Sequence, residues 1–165
     1  MTTEHKLTYV GCDPGLGGAL AVWRPADEML LVIDMPTHEI NGKRRIDLYQ
    51  LSAELKSWIA VSPNARAIVE NVGAFPGQSP NSMFNFGFAA GALQSAIATL
   101  ELPMVLVVSQ VWKKVYGIPG GRENKDVSRQ KASMLFPKFA HLWARKKDDG
   151  RAEAVLLAHY GSKLL

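Results

Sequence analysis

Carboxylates at the ends of apolar runs are the first feature of this sequence that could do chemistry. Leu7–Val22 reads LTYVGCDPGLGGALAV. Its first apolar run stops at Asp13, the turn Pro14-Gly15-Leu16-Gly17-Gly18 follows, and a second apolar run leaves it. Two apolar runs joined by a tight glycine turn predict a β-hairpin. Asp13 then projects from a strand end among residues too small to cover it. A carboxylate there can bind a hard cation, which prefers oxygen ligands. Asp-Pro-Gly is also ordinary turn chemistry, so Asp13 has a second reading as a turn residue. Glu70 closes the short apolar run Ala65–Glu70 in the same way. Asp149 and Glu153 open the Ala- and Leu-rich segment near the C-terminus. At ~100° per residue they stand about 40° apart, on one helical face. Asp148 is the poorer partner for Glu153, and Arg151 points to another side, toward a phosphate or solvent.

Phosphodiester hydrolysis could use such a set. Two divalent ions about 3.5–4 Å apart serve the attacking and leaving oxygens of an in-line displacement. Mg²⁺ keeps several waters, so a few carboxylates suffice. Crowded carboxylates repel one another unless a cation neutralises them. Each acid also has a structural reading: Asp148 and Asp149 as helix caps, Glu153 as a surface residue, Glu70 as an arginine partner.

The elements that must position these acids follow from the pattern. Leu7–Met35 reads as a three-stranded meander with Glu28–Met35 as its third strand, ended by Pro36. Asn41-Gly42 marks a loop carrying Lys43-Arg44-Arg45. Asp47–Ile59 has helical spacing, and Ala65–Glu70 suits a buried strand. Asn71–Ser82 is a loop of about a dozen residues with Phe75 inside it, a length that is often functional. Met83–Leu100 is a helix with small residues along it. Pro103–Val108 is a further buried-strand candidate, and Ser109 could cap a short helix bearing Trp112, Lys113 and Lys114. Gly117–Asp126 is a loop, and Val127–Phe136 and Gly150–Leu164 are helices. This order predicts an α/β fold, one mixed sheet with helices on its faces.

The 165 residues suit a single domain spanning 1–165. Apolar content of 47% and charged content of 21% are those of a globular protein. No run is long enough to cross a membrane, and MTTEHKL has no apolar signal core. The single cysteine, Cys12, cannot close an internal disulfide, which predicts a reducing cytosol and buried strand filler. The net charge of +4 permits a polyanionic partner. Basic clusters at Lys43–Arg45, Lys113-Lys114, Arg122–Lys131 and Arg145–Lys147 read as solvated surface or as phosphate contacts.

GCDPGLGGALAV, the strand end AIVENV, and DDGRAEAVLLA, in this order, resemble the RuvC-like Holliday junction resolvases of the RNase H-like superfamily. The compact phage and prophage forms are the nearest in pattern. The resemblance spans about Leu7 to Gly161. It implies an RNase H-like five-stranded mixed sheet, the antiparallel meander plus two parallel strands. It implies a homodimer that nicks two opposed strands of a four-way DNA junction with Mg²⁺ or Mn²⁺, two ions per site. By the same resemblance Asp13, Glu70, Asp149 and Glu153 are the catalytic and metal-binding residues, with Asp148 as substitute for Asp149. Many relatives carry Asp where this chain has Glu153, and many show His near Asp149. Phe75 corresponds to an aromatic that stacks at the junction centre, a tool that tolerates any base. Phe84 and Phe86 stand behind it, while Phe88 reads as a core or dimer residue, and Met83–Leu100 resembles the dimerising helix. Lys113, Lys114, Arg122, Lys125 and Lys131 are then phosphate contacts, which position without reading sequence. Other branched DNA or RNA, and a non-catalytic junction-binding role, are the alternative functions. Actin-like sugar kinases open with a similar hairpin but need a duplicated domain that this length does not hold.

Overall fold

A computed structural model describes residues 7–74, 77–120 and 125–164, with Lys125 described by its backbone alone. Three strands, β1 (Thr8–Asp13), β2 (Ala19–Arg24) and β3 (Met29–Asp34), form the expected antiparallel meander. β6 (Ala65–Asn71) joins β1 in parallel and β7 (Met104–Val108) joins β6 in parallel, giving the sheet order β3-β2-β1-β6-β7. β1, β2 and β6 are apolar on both faces because helices cover both. The mixed five-stranded sheet predicted from sequence is therefore present.

Strand alternation divides the core. On one face, Val10, Cys12, Ala67 and Val69 pack with Leu51, Leu55 and Trp58 of α1 (Leu48–Ala60) and Leu93 and Ile97 of α2 (Pro80–Thr99). Cys12 is fully buried there, and burial pushes its thiol far above the usual range. On the other face, Tyr9 and Ile68 pack with Trp112 of α3 (Ser109–Val115), Ala132 of α4 (Lys125–Leu135), and α5 (Asp149–Leu164). α5 lies hard against β1. A Cβ on Gly11 would sit 2.0 Å from the Ala154 carbonyl oxygen and 2.5 Å from the Ala158 nitrogen. Gly161 meets Ile68 in the same manner, at 2.2 Å.

Polar contacts fix the start of α5. Arg151 donates to both carboxylate oxygens of Asp34 at 2.6 and 2.7 Å, and to the Leu142 carbonyl at 3.0 Å. It closes β3 onto α5 and faces neither phosphate nor open solvent as the sequence reading had it. Asp148 lies in the preceding 3-10 turn and accepts from the Arg145 backbone and guanidinium.

Four further expectations are corrected. Asn41-Gly42 is the tip of a hairpin, β4 (Thr37–Ile40) and β5 (Lys43–Ile46), so the basic triplet lies on a strand. Both tip residues have positive φ, 50° and 70°, the geometry of a type I′ turn. β7 is an edge strand with one neighbour, which leaves Val105, Leu106 and Val108 exposed. Ser109 is the first helical residue, with Val108 at the cap position, and its hydroxyl bonds Glu70. The loop after β6 is shorter than a dozen residues, because Ser79 caps α2, which begins at Pro80, three residues before Met83.

Candidate active site

The acids meet where β1 and β6 end. Cys12 pairs with Val69, so Asp13 and Glu70 are the next residues of two adjacent parallel strands. Alternation turns both away from the α1–α2 core and toward α5. Asp13 is held by its neighbours. A Cβ on Gly18 would stand 2.0 Å from the Asp13 carbonyl oxygen, and one on Gly150 would stand 3.2 Å from Asp13 Oδ2. Only glycine permits the turn and the helix N-terminus to approach this carboxylate so closely.

Each of the other acids has its own support. Glu70 is 7% exposed. It accepts from Trp112 Nε1 at 3.3 Å and from the Ser109 side chain. Glu153 Oε1 accepts from Ser128 Oγ at 2.9 Å and pairs with Lys113 Nζ at 2.8 Å. The same ammonium lies 5.1 Å from the Trp112 ring centroid. Asp149 is in the first turn of α5, within electrostatic reach of Asp13.

The charges are felt across the site. Burial, then Glu153 and Glu70, hold the Asp13 carboxyl well above the usual carboxylate range; Lys113 opposes this and Asp149 adds to it. Burial also pushes Glu70 up, with Glu153 reinforcing and Ser109, Lys113 and Trp112 opposing. Asp13, Glu70 and Glu153 thus form one electrostatic unit in which, among the described residues, Lys113 is the opposing cation. Asp148 stands apart, its carboxyl held below the usual range chiefly by hydrogen bonds from Arg145. Of the two candidates in DDGRAE, the one facing the acids is Asp149.

The DNA-contact candidates are dispersed. Lys113 points into the acid cluster, with 21% of its side chain exposed. Lys114 is exposed beside it, on a groove of about 430 Å³ formed by Ser109, Gln110, Lys113, Lys114, Gly117 and Ile118. Lys131 is half-buried on α4. Phe75, Arg122 and the Lys125 side chain lie outside the described residues. Phe84 and Phe88 are 68% and 45% exposed, so Phe88 is not a core residue of one chain. Phe86 is half-buried and approaches Gly15. Sequence reasoning missed Ser109, Trp112 and Ser128 as partners of the acids. Ser109, Trp112 and Lys113 stand at i, i+3 and i+4, one face of one helix, and that spacing was the available signal.

The donor set fits a hard cation in kind, since every candidate ligand is a carboxylate oxygen and the buried acids carry more charge than Lys113 balances. Among the described residues, no three His, Cys, Asp or Glu side chains close into a ready-made cage. An ion that retains waters and takes one or two carboxylates is the kind such an open arrangement accepts.

The sequence matches no family profile and no curated protein. Solved structures do match. Thermus thermophilus RuvC in complex with a Holliday junction substrate superposes with TM-score 0.60 at 11% identity, over 95% of this chain and 96% of that one. Another Thermus thermophilus RuvC structure gives 0.52 at 12% identity, over 95% and 96%. The yeast mitochondrial Holliday junction resolvase Ydc2 gives 0.53 at 13% identity, over 92% of this chain and 76% of that one. At these identities the likeness is one of fold: this chain has the RuvC-type, RNase H-like fold.

Proposed function

We propose that this protein is a divalent-metal-dependent endodeoxyribonuclease that resolves four-way DNA junctions. The observation that carries the reading is the electrostatic union of Asp13, Glu70 and Glu153, joined by Asp149, at the strand ends of a fold shared with junction resolvases. These four carboxylates would hold Mg²⁺ or Mn²⁺, two ions per site, which supply positive charge to the attacking and leaving oxygens of the phosphodiester.

The chain's own residues do the positioning. Trp112 and Ser109 orient Glu70, and Ser128 and Lys113 orient Glu153. Such supporting partners hold ligands in one rotamer and tune their basicity. Lys113 Nζ balances acid charge through Glu153 and, with a bound cation taking over that balance, would be available to a phosphate oxygen. Lys114 and Lys131, with Arg122, Lys125 and Phe75 on the flanking segments, would contact backbone and bases.

Two opposed nicks require two sites, and α2 offers the joining surface. Phe84 and Phe88 are exposed, and nothing lies within 4 Å of a Cβ added at Gly87 or Gly91. A second copy laid on this helix would cover it, which supports a homodimer. The test is incubation with a synthetic four-way junction, branched and linear DNA controls and an RNA duplex, in Mg²⁺, in Mn²⁺ and in chelator. Paired nicks confined to the junction and lost in chelator are expected. Tight junction binding without cleavage in either metal overturns the catalytic reading.

A further inference from the structure

The β4–β5 hairpin is a two-stranded sheet separate from the main one. A lone hairpin is marginal in water, so contacts with the body must hold it. Ile46 is buried in the α1–α2 core. Arg44 donates to Thr37 Oγ1 at 3.0 Å and to the Leu16 carbonyl. Arg45 donates to Asn85 Oδ1 on α2, and His38 Nδ1 lies 3.5 Å from Asp47 Oδ2. The hairpin is thereby fastened both to the glycine turn that follows Asp13 and to the first turns of α2.

Its pairing sorts its charges. Thr37 faces Ile46, His38 faces Arg45, Glu39 faces Arg44 and Ile40 faces Lys43. Directly paired residues share a face of the ribbon. Ile46, which is buried, shares its face with Thr37, Arg44 and Glu39, of which Arg44 and Glu39 are exposed. The other face holds His38, Ile40, Lys43 and Arg45: Arg45 is half-buried where it donates to Asn85, His38 lies beside Asp47, and Lys43 is exposed at the tip. Lys43, His38 and Ile40 are exposed. Leu16, which Arg44 grips, belongs to the Asp13 turn, while the Lys113–Lys114 groove lies beyond Glu70. The hairpin thus adjoins the turn that follows Asp13, the Lys113–Lys114 groove adjoins Glu70, and the hairpin is a basic surface that the nuclease chemistry does not use.

We propose that the β4–β5 hairpin is a clamp for the phosphate backbone of the duplex arm entering the acid site, with Lys43 and Arg45 as its contacts. This rests on the nuclease reading and extends it to a second surface. Charge complementarity names the occupant. Duplex DNA carries a charge every ~1.7 Å of axis, and basic groups that meet it release counterions. Four residues per strand at ~3.3 Å give a ribbon about 13 Å long, enough to lie along several base pairs. The Asn41-Gly42 turn and the two arginine anchors hold it rigidly, so little order is lost on binding.

The test is junction and linear-duplex binding by fluorescence anisotropy in chelator, across roughly 50–200 mM salt. Lys43→Ala is expected to lower the slope of log K against log salt by about 1 and to weaken binding several-fold, with the Tm unchanged. Lys43→Glu should weaken it further. Arg45→Ala should do the same as Lys43→Ala, and Arg45→Lys should restore most of the slope. Asn85→Ala separates anchoring from charge, because it removes the hydrogen bond and leaves the guanidinium. It should leave the slope near wild type. Wild-type slope and affinity in both Lys43 variants overturn the clamp. Loss of preference for junction over duplex, with the Lys43 effect intact on duplex, would sink the junction reading and leave the clamp standing. Absence of any duplex affinity overturns both.

Discussion

α2 and α5 are the two longest helices among the described residues, packed on opposite faces of one sheet, and they are dressed in opposite ways. α5 is buried from Gly150 to Gly161 on nearly every side, and small residues let it touch β1 backbone to backbone. α2 buries Ala89, Ala90, Leu93 and Ile97 and leaves Phe84 and Phe88 in the open. Its Gly87 and Gly91 have open space where α5 has none. A helix that must carry Asp149 and Glu153 to fixed places beside Asp13 and Glu70 is locked on all sides. A helix proposed to join two copies keeps apolar surface for a partner.

The largest expected break of this contrast is at Gly11. Gly11→Ala drives a methyl into the Ala154 carbonyl and lifts α5 off β1. The expected cost is about 2 kcal/mol, a Tm drop of roughly 5 °C, with cleavage lost as the acids separate. Thermal unfolding and junction cleavage on the same sample read both. Ser128→Ala comes next. It removes a hydrogen bond that fixes Glu153, and about tenfold is expected to be lost in metal affinity or cleavage rate, with the Tm close to wild type.

On the other helix the same kind of change should be harmless to the fold. Gly91→Ala adds a methyl to open space and favours the helix by about 0.5–1 kcal/mol, so the Tm should hold or rise. Gly91→Arg should leave a folded chain that sediments as a monomer, where the wild type is expected to sediment as a dimer. Unfolding of Gly91→Arg, or a dimer that survives it, would erase the distinction between the helices.

The smallest effect belongs to the Asp34–Arg151 clasp. Arg151 holds the Asp34 carboxyl below its ordinary range. That stabilisation is present above the unfolded carboxylate pKa and fades as pH falls through the folded one. Asp34 is largely exposed, so Arg151→Ala should lower stability by only about 0.2–1 kcal/mol at pH 7. The difference from wild type should shrink as pH falls below the ordinary aspartate range, as followed by urea unfolding across pH.

Much of this was legible in the chain. The meander and the parallel strands announce themselves as apolar runs bounded by glycine and proline, and a strand that ends in an acid marks the strand ends where the candidate site lies. Asp149 and Glu153 share a face at helical spacing. The role of Lys113 was not legible. α3 reaches the acids only because β7 runs parallel to β6 after a long crossover through α2, and adjacency of that kind has no local signature. The different settings of Asp148 and Asp149 were equally hidden, since they depend on a 3-10 turn closed by Arg145 just before α5. The hairpin had a signal that was misread. Asn-Gly is the preferred tip of a type I′ turn, but the flanking residues are polar on one side and lack the apolar alternation expected of strands.

The central claim is that Asp13, Glu70, Asp149 and Glu153 act as one metal centre. Mn²⁺ titration by calorimetry, with wild type and Asp13→Asn side by side and junction nicking read on the same samples, tests it most directly. Wild type is expected to bind Mn²⁺ and make paired nicks, while Asp13→Asn folds, retains junction affinity and loses both activities. Paired nicking that persists in Asp13→Asn, or in wild type under chelator, would contradict it.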